Sequence, residues 1–355
     1  MTYRFEFRRY RLPLKAPVRT SRAVMTEREG VIVRLERDSR TGLGEAAPLA
    51  GFGGGEVEEI ASACGNFGAG VEVDVIERVP RRLGCLRNAL AAALAEIGRA
   101  NADEMSEGPA EVPPYLPVAA LVPAGRRAIA EIQGKGEAGF RTFKWKVGVG
   151  DLADELALFD DVCAALPSGA KLRLDANGAW DRRHAERWLE RCAERPVEFV
   201  EQPCFAEASA FAAAVAEKSR GRAEDLLLGL AADFPTPLAL DESVAGDADV
   251  ERWLGRGWPG VFVIKPSLHA DLDATLARLA TAKAKVVFSS ALETAVGARA
   301  ALRRAFVWPG ERRALGFGVW PLFADPRLDG PAAAPFLRRE DLKRIDVEAA
   351  WNVLS

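Results

Sequence analysis

The chain has 355 residues, of which 49% are hydrophobic and 28% charged, and its 48 basic and 51 acidic side chains leave a formal net charge of −3. This mixture is typical of a soluble globular protein, and it lacks the excess of positive charge that a nucleic-acid partner would require. No stretch approaches the roughly 20 consecutive apolar residues of a membrane span. The sequence therefore predicts neither a nucleic-acid nor a membrane partner.

Five cysteines and two histidines limit the chemistry available to the chain. The cysteines are scattered without a CxxC pair, which argues against a thiolate metal site and predicts a cytoplasmic protein with reduced thiols. His184 lies in a charged helical stretch and His269 follows a strand end, so neither a histidine-based zinc site nor a Ser-His-Asp triad fits. Acid–base chemistry must rest mainly on lysines and carboxylates.

The first hundred or so residues indicate an α+β unit. Three strands and two helices are predicted from their hydrophobic periodicity, at residues 3–11, 30–36, 42–49, 56–67 and 87–100. The proline-containing stretch 101–114 is predicted to link this unit to the rest of the chain.

From residue 116 onward, short apolar strands alternate with amphipathic helices, which indicates βα units around a parallel sheet. Eight strands are predicted, at Leu116–Leu121, Thr142–Val147, Lys171–Asp175, Glu198–Glu201, Leu238–Asp241, Val261–Lys265, Lys285–Ser289 and Leu315–Val319. Seven helical stretches separate them, so the count reaches a closed (β/α)7β barrel with a truncated last unit. We assign residues 116–319 to the barrel and residues 1–115 to the α+β domain, on which residues 320–355 are predicted to pack.

Three consecutive predicted strands each end in a carboxylate, namely Asp175, Glu201 and Asp241. The C-terminal strand ends of a parallel barrel face the active site, and neighbouring strands lie about 5 Å apart, so these side chains can converge on one ion. Any one of them could simply cap a helix. Three in succession, flanked by lysines, favour a metal site, and oxygen ligands suit Mg²⁺ or Mn²⁺ better than zinc.

Lys144 and Lys146 are two residues apart on a predicted strand, so both point to the same face, whereas Trp145 points outward into the helix layer. Inside a barrel an ammonium is costly unless anions compensate it. Burial and the second cation are expected to lower the pKa of one lysine, which would suit a general base. Lys265 ends the sixth strand, beyond the carboxylates, so cations would bracket a substrate from opposite sides.

These strand-end motifs resemble those of the enolase superfamily. They are Lys-x-Lys at 144–146, Asp-x-Asn at 175–177, Glu-Gln-Pro at 201–203, Asp-Glu-Ser at 241–243 and Lys-Pro-Ser at 265–267. The lysine of the sixth strand is similar to the muconate lactonizing enzyme subgroup. Within it, Pro48–Phe52, Asp175–Trp180 and Ser289–Thr294 resemble segments of the o-succinylbenzoate synthase family. The resemblance implies a modified TIM barrel with an α+β capping domain built from both termini.

The resemblance also implies a role for each lysine. Lys146 would take the proton α to a carboxylate and return it to a departing hydroxyl group. Lys265 would stabilise the enediolate from the opposite face, and Lys144 would adjust the pKa of Lys146. Further contacts to the metal site or the substrate are expected from Arg173, Asn177, Ser289, Ser290 and Gly316. The segment Lys15–Arg28, with Arg19, Arg22 and Arg28, resembles the mobile loop that closes over the substrate, and its cations suit a dicarboxylate.

The implied activity is a Mg²⁺-dependent lyase reaction: syn dehydration of 2-succinyl-6-hydroxy-2,4-cyclohexadiene-1-carboxylate to 2-succinylbenzoate, on the route to menaquinone or phylloquinone. The same lysines could instead racemise N-succinyl or other N-acyl amino acids, or epimerise dipeptides. A barrel that only binds an anion is a non-enzymatic alternative. The barrel residues serve both enzymatic activities, so the choice of substrate rests on Pro48–Phe52. The oligomeric state stays open.

Overall fold

The computed structural model describes residues 1–19, 24–49, 52–98, 112–205 and 213–354. The N-terminal residues form a four-stranded antiparallel sheet in the order β3-β2-β1-β4, comprising β1 (Thr2–Arg19), β2 (Val24–Arg37), β3 (Arg40–Ala46) and β4 (Gly70–Glu72). Three helices accompany it, α1 (Val57–Gly65), α2 (Val73–Glu77) and α3 (Gly84–Gly98). We call this sheet and its helices the cap. Most of the predicted linker at 101–114 lies outside the described residues.

The run Val31-Ile32-Val33 in β2 explains how the cap is held between two hydrophobic layers. Successive side chains of a strand point to opposite faces. Val31 and Val33 are buried with Leu86 and Leu90 of α3, whereas Ile32 belongs to the core around the barrel. Since both faces of the sheet bury apolar surface, the strand is hydrophobic throughout rather than alternating.

The interpretation of Lys15–Arg28 as a loop is wrong for residues 15–19 and 24–28, which belong to β1 and β2. The two strands pair as far as Val18 with Met25 and Arg19 with Val24, after a change of register beyond Pro13. The backbone N–H of Lys15 donates to Leu322 O at 2.8 Å. The hydrogen bonds between β1 and β2, and from Lys15 to Leu322, therefore extend both strands into the segment whose polar composition suggested a loop.

Seven parallel strands form the barrel sheet in sequence order. They are β6 (Ala120–Val122), β7 (Thr142–Lys146), β8 (Lys171–Asp175), β9 (Val197–Glu201), β10 (Leu238–Leu240), β11 (Val261–Ile264) and β12 (Lys285–Phe288). The seven predicted helices are confirmed as α4 (Arg127–Glu137), α5 (Leu152–Ala164), α6 (Arg182–Cys192), α7 (Ala213–Asp233), α8 (Asp247–Gly255), α9 (Leu272–Thr281) and α10 (Ala295–Phe306).

The predicted eighth strand at Leu315–Val319 is reduced to two residues. Leu315 pairs in parallel with Val118, and Gly316 pairs in parallel with Ser289 at the other edge of the sheet. A turn at Gly318 and Val319 ends this pairing. The two residues nevertheless join the chain just before β6 to the chain just after β12, so the predicted barrel is confirmed, with a last unit shorter than expected.

The predicted first barrel strand, Leu116–Leu121, is divided. Its first part is β5 (Tyr115–Pro117), which pairs antiparallel with β13 (Phe336–Arg338) from the C-terminal segment, and the barrel strand β6 begins only at Ala120. Pro117 explains part of this division, because a proline cannot donate a ladder hydrogen bond in a central strand.

The C-terminal segment contacts the cap through polar groups and one helix, α11 (Val347–Val353). Arg8 donates to the carbonyl oxygen of Trp351 at 2.5 Å and stacks over its ring at 4.3 Å, while Arg34 pairs with Glu348 at 2.9 Å. These contacts agree with the expected packing on the N-terminal unit. The domain boundaries at residues 115 and 320 stay a prediction. Along the described ranges, the helices are too short or too polar for any of them to cross a membrane.

Gly42 and Gly44 of β3 allow helix α3 to lie directly on the strand. A methyl group at Gly44 would overlap the carbonyl oxygen of Ala89, and one at Gly42 would overlap that of Ala93. Neither carbonyl can move without displacing the helix, so the close approach requires glycine at both positions.

We expect Gly44→Ala to destabilise the protein by about 1–3 kcal/mol, because the added methyl group must push α3 away from β3. Urea unfolding followed by circular dichroism measures this change. Gly134→Ala is the matched control, since Gly134 lies within α4 with open space around it and should gain up to about 1 kcal/mol. Equal stability of the two variants would contradict the close packing of α3 on β3.

Candidate active site

The two lysines of β7 lie on one face of the strand, as predicted. Lys144 and Lys146 keep part of their surface exposed, whereas Phe143 and Trp145 on the opposite face are fully buried. Trp145 contacts Trp188 of α6 edge to face, with ring centroids 6.1 Å apart. The strand therefore anchors its outer face in the helix layer and presents both ammonium groups to the mouth of the barrel.

Lys144 joins the carboxylates of the next two strand ends. Its Nζ lies 2.9 Å from Asp175 Oδ2 and 2.8 Å from Glu201 Oε1, and all three side chains are largely buried. Burial alone would lower the pKa of Lys144, but the combined attraction of Asp175, Glu201 and Asp241 outweighs it and raises that pKa. Lys144 is consequently a fixed positive charge in the site.

Lys265 occupies the other side of the site, directly after β11. Its ammonium is bonded to Asp241 Oδ1, and the side chains of both residues are about nine-tenths buried. The same Nζ lies 4.3 Å from the centroid of the Phe52 ring, which comes from the cap. This cation–π contact places a cap residue against a strand-end lysine of the barrel.

Lys146 has the properties expected of a base. Its pKa is lowered from 10.5, chiefly because burial disfavours the charged form, and the neighbouring Lys144 cation adds to the effect against the attraction of Asp175. The predicted direction of the shift is confirmed, with burial as the larger cause. The two lysines of β7 are therefore distinguished electrostatically: one holds its proton firmly and the other releases it more easily.

The three predicted metal-binding carboxylates share one electrostatic environment. Burial raises the pKa of Glu201 to about 8, and the charges of Asp175 and Asp241 add to this effect while Lys144 opposes it. Crowded, buried carboxylate oxygens are the donor set that hard cations such as Mg²⁺ bind. Asp175, Glu201 and Asp241 are therefore the residues that could hold a divalent cation.

In this structure the lysine ammonium groups lie between these carboxylates. Accordingly, among the described residues no three or more His, Cys, Asp or Glu side chains are arranged to hold a metal ion. The chemistry of the donor set fits Mg²⁺, but its assignment as the metal site stays a prediction.

Gln202 positions the backbone that carries Asp241, a role that the Glu-Gln-Pro motif alone did not reveal. Its side chain is fully buried, and its Oε1 accepts hydrogen bonds at 3.0 Å from the backbone N–H groups of Asp241 and Ser243. Its Nε2 donates to Ser243 Oγ and to Cys204 O, both at 2.8 Å. One amide thus fixes the end of β10 relative to the end of β9.

Asn177 lies beside the carboxylates, where its predicted supporting role places it. Its backbone N–H donates to Asp175 Oδ1 at 3.2 Å, and its side chain donates to Glu242 Oε1 at 3.1 Å. Burial raises the pKa of Glu242 to about 7, with further contributions from Asp241 and Asp175. The acidic cluster therefore extends one residue beyond the three predicted ligands.

Arg173 does not reach the candidate metal site. It shares a face with Asp175 but lies deeper in the barrel, where its Nε donates to Glu198 Oε2 at 2.7 Å and its Nη1 donates to Ala314 O at 2.7 Å. Glu198 is also paired with Arg313 at 2.8 Å. The guanidinium thus braces the barrel interior rather than a metal or a substrate carboxylate.

Ser289, Ser290 and Gly316 meet where the barrel closes. Ser289 Oγ donates to Gly316 O at 3.3 Å, and a side chain at Gly316 would collide with that serine. Ser290 Oγ donates to Glu293 Oε2 at 2.6 Å and accepts from the backbone N–H of Leu292. The hydroxyl group of Ser290 is therefore engaged within its own loop, and contact of these residues with a substrate stays a prediction.

The arginines predicted to close over the substrate divide into two groups. Arg22 and the side chain of Arg19 lie outside the described residues. Arg28 is only 3% exposed, and its guanidinium bonds to backbone carbonyl oxygens of both the cap and the barrel. The expectation that Arg28 binds a dicarboxylate is therefore wrong, because its donors are already used inside the protein.

Comparison with known families agrees with this geometry. The family described as "Enolase C-terminal domain-like" matches residues 127–334, and the family described as "MenC, N-terminal domain" matches residues 3–69. The two matches fall on the barrel and on the cap, respectively. The family matches therefore agree with the structure, in which a closed βα barrel carries lysines on opposing strand ends around buried carboxylates.

Individual relatives are similar over most of their length. An o-succinylbenzoate synthase of Thermosynechococcus vestitus is 38% identical over 322 residues, which cover 89% of this chain and 92% of that protein. The crystal structure of o-succinylbenzoate synthase from Thermosynechococcus elongatus BP-1, with Mg in its active site, covers 99% of both chains at 34% identity and a TM-score of 0.79. A hydrophobic dipeptide epimerase of Roseobacter litoralis is 31% identical over 69% of this chain and 70% of that protein.

The chain therefore belongs to the enolase superfamily, and within it to the family of the o-succinylbenzoate synthases.

We expect Gln202→Leu to destabilise the protein by about 3 kcal/mol, because the buried N–H groups of Asp241 and Ser243 lose their acceptor. The measurement is the free energy of unfolding in urea. Gln133→Leu, at an exposed position of α4, is the control and should change stability by less than about 0.5 kcal/mol. A Gln202 variant as stable as the control would show that this amide does not hold the end of β10.

Proposed function

We propose that the protein is a Mg²⁺-dependent o-succinylbenzoate synthase, which dehydrates 2-succinyl-6-hydroxy-2,4-cyclohexadiene-1-carboxylate to 2-succinylbenzoate on the route to menaquinone or phylloquinone. One observation carries the proposal: Lys144 of β7 and Lys265 after β11 contact the carboxylate series from its two ends, in a chain whose relatives along nearly its whole length are o-succinylbenzoate synthases. The substrate is a dicarboxylate, which suits a site rich in fixed cations.

The proton to be removed is α to a carboxylate and is only weakly acidic in water. Mg²⁺ held by Asp175, Glu201 and Asp241 supplies, when bound, positive charge that stabilises the negative charge developing on the substrate carboxylate. Lys144 contributes a permanent positive charge beside two of these residues. The electrostatic environment is thereby arranged before the reaction begins, which lowers the barrier to proton removal.

Lys146 performs the proton transfers in this proposal. Its neutral amine takes the α-proton, and the electrons of the broken C–H bond are delocalised onto the substrate carboxylate. They then form the ring double bond as the C–O bond breaks. The resulting ammonium then donates the same proton to the departing hydroxyl group, which leaves as water, and the amine is regenerated. One base acting on one face explains syn elimination, and its lowered pKa favours the neutral form that begins the cycle.

Lys265 faces the reacting ring from the opposite side. Asp241 and the Phe52 ring hold its ammonium in place. Because it lies across the site from Lys146, it can stabilise developing negative charge without competing for the α-proton. A lysine on each face would also permit proton exchange at a stereocentre, which is why racemisation of N-succinyl amino acids and epimerisation of dipeptides are tested beside the dehydration.

The deciding experiment offers the purified protein three substrates in parallel with Mg²⁺: the cyclohexadiene, an N-succinyl amino acid and a hydrophobic dipeptide. We expect 2-succinylbenzoate, detected by its ultraviolet absorbance, to form fastest, and to disappear when a chelator removes the metal and return when Mg²⁺ is restored. Proton exchange into the amino acid or the dipeptide without aromatic product would overturn the proposed dehydration.

We expect Lys146→Ala to lower kcat by at least about 10³-fold, because no other group replaces the base in both proton transfers. Lys285→Ala is the matched control: Lys285 is exposed at the start of β12, at the opposite end of the barrel, and its loss should leave kcat unchanged. Circular dichroism of both variants checks that the fold is intact. Substantial turnover by a folded Lys146→Ala protein would exclude this lysine as the base.

The pH dependence of kcat/KM follows from the protonation of Lys146. Lys146 must be neutral to accept the proton, so kcat/KM should rise with pH and reach its plateau below 10.5, the ordinary pKa of lysine, since burial and the Lys144 cation lower the pKa of Lys146. The Lys285→Ala protein should give the same curve. A rise that continues through pH 10.5 would contradict the lowered pKa.

A further inference from the structure

Arg28 is an unusual arginine because its guanidinium is buried and is surrounded by backbone carbonyl oxygens. The residue is 3% exposed. Its Nη1 donates to Pro48 O at 2.6 Å and to Glu29 O at 3.1 Å, and its Nη2 donates to Ala47 O. Its Nη2 and Nε also donate, each at 3.1 Å, to the carbonyl oxygens of Ala291 and Leu292, respectively.

Four of these five carbonyl groups belong to two segments at the site, and the fifth, that of Glu29, belongs to β2. The first of the two segments, which we call the capping segment, consists of Ala47–Leu49 and Phe52, and the ring of Phe52 lies 4.3 Å from Lys265 Nζ. Residues 289–294, which we call the β12 loop, follow the seventh barrel strand and begin with Ser289 and Ser290. One side chain therefore joins the cap to the barrel at the point where both border the lysine-lined site.

The β12 loop needs such support because Leu292 has a left-handed backbone, with φ of 60°. This conformation is unfavourable for a leucine and persists only where surrounding contacts hold it. The N–H group of Leu292 donates to Ser290 Oγ at 2.9 Å, and its carbonyl oxygen accepts from Arg28. The peptide groups on both sides of the strained residue are thus fixed, one by the loop itself and one by the cap.

A second buried contact crosses the same interface nearby. Glu45 of β3 accepts hydrogen bonds from the N–H and hydroxyl groups of Thr294 and, at 2.9 Å, from the N–H group of Gly297. A cap carboxylate therefore binds the first turn of α10, where the helix dipole favours negative charge. This contact anchors the far end of the β12 loop, and Arg28 anchors its middle.

The charge of Arg28 is compatible with burial for two reasons. Five carbonyl contacts satisfy its donors, and the carboxylate of Glu293 lies near enough to interact with it electrostatically. An arginine cannot escape burial by losing its proton, and a lysine has too few donors to reproduce this planar arrangement. Arginine therefore fits this position better than lysine does.

We infer that Arg28 is a positioning residue for substrate binding: it holds the capping segment in register with the β12 loop, and the two segments together form the wall of the site on the side of Lys265. The inference rests on the proposed function where it concerns substrate binding. Since Asp241 holds Lys265 independently of Arg28, loss of the arginine should affect binding more than the chemical step.

The test compares Arg28→Met and Arg28→Lys with Arg34→Met. Arg34 is the matched control, because it also lies on β2 and joins the cap to another part of the chain, through Glu348 of α11, but contacts neither segment of the site. Steady-state kinetics with the cyclohexadiene should show KM about tenfold higher for Arg28→Met, about threefold higher for Arg28→Lys, and kcat within about threefold of the wild type in both. Arg34→Met should keep the wild-type KM.

Hydrogen exchange supplies a readout that does not depend on turnover. Peptides covering residues 47–52 and 289–294 should both exchange faster in the Arg28 variants, and neither should do so in Arg34→Met. Should Arg28→Met fail to fold, the comparison between Arg28→Lys and Arg34→Met decides the question alone.

Three results would overturn the inference: an unchanged KM in a folded Arg28 variant, an equal rise in KM for Arg34→Met, or faster exchange in only one of the two segments. If the wild type forms no aromatic product, the proposed function fails, while the exchange experiment still decides whether Arg28 couples the two segments.

Discussion

Lys144 lies between Asp175 and Glu201 at the mouth of the barrel, and the rest of the site depends on this buried contact between one cation and two carboxylates. Removing such charges from water costs several kcal/mol for each ion unless close partners compensate. Here the compensation is incomplete. Glu201 has a pKa near 8 and Glu242 one near 7, chiefly because both are buried, and repulsion from neighbouring carboxylates adds to the burial effect. A cluster with this excess of buried acidic groups favours an additional cation, which supports the proposed Mg²⁺ site.

The same contact explains why the two lysines of β7 differ. Lys144 is drawn into the acidic cluster and keeps its proton, so its charge acts on Lys146 two residues further along the same face. Lys146 lies farther out and responds mainly to burial. A fixed cation and a base that releases its proton more easily therefore arise from one Lys-x-Lys sequence, because the strand places the first lysine deeper among the carboxylates than the second.

Much of this arrangement could be predicted from the sequence because it depends on local periodicity. Alternation along each strand identifies the face of Lys144 and Lys146, and the order of βα units places successive strand ends side by side. Periodicity does not report depth along the barrel, however. Arg173 shares a face with Asp175 but lies one layer deeper, where Glu198 and Ala314 bind it.

Contacts between residues far apart in the sequence could not be predicted either. Arg28 reaches Leu292 and Glu45 reaches Thr294, at separations of 264 and 249 residues, and no local pattern indicates such partners. Arg28 therefore resembled a substrate-binding cation of a loop, although it is a buried link between two units. The short eighth strand is a similar case, since Leu315 and Gly316 are held in the barrel by pairing with Val118 and Ser289, next to the two edge strands, rather than by their own strand propensity.

The way in which the cap is attached bears on how one barrel chemistry can serve different substrates. The carboxylates and lysines that perform the chemistry belong to the barrel and support one another there. Arg28 binds the capping segment and the β12 loop almost entirely through backbone carbonyl groups, which are present whatever side chains those segments carry. The side chains of Pro48 and Leu49 could therefore change without loss of the backbone position that Arg28 holds. A fixed backbone with replaceable side chains is the arrangement in which substrate choice can vary while Lys146, Lys265 and the acidic cluster keep the same chemistry.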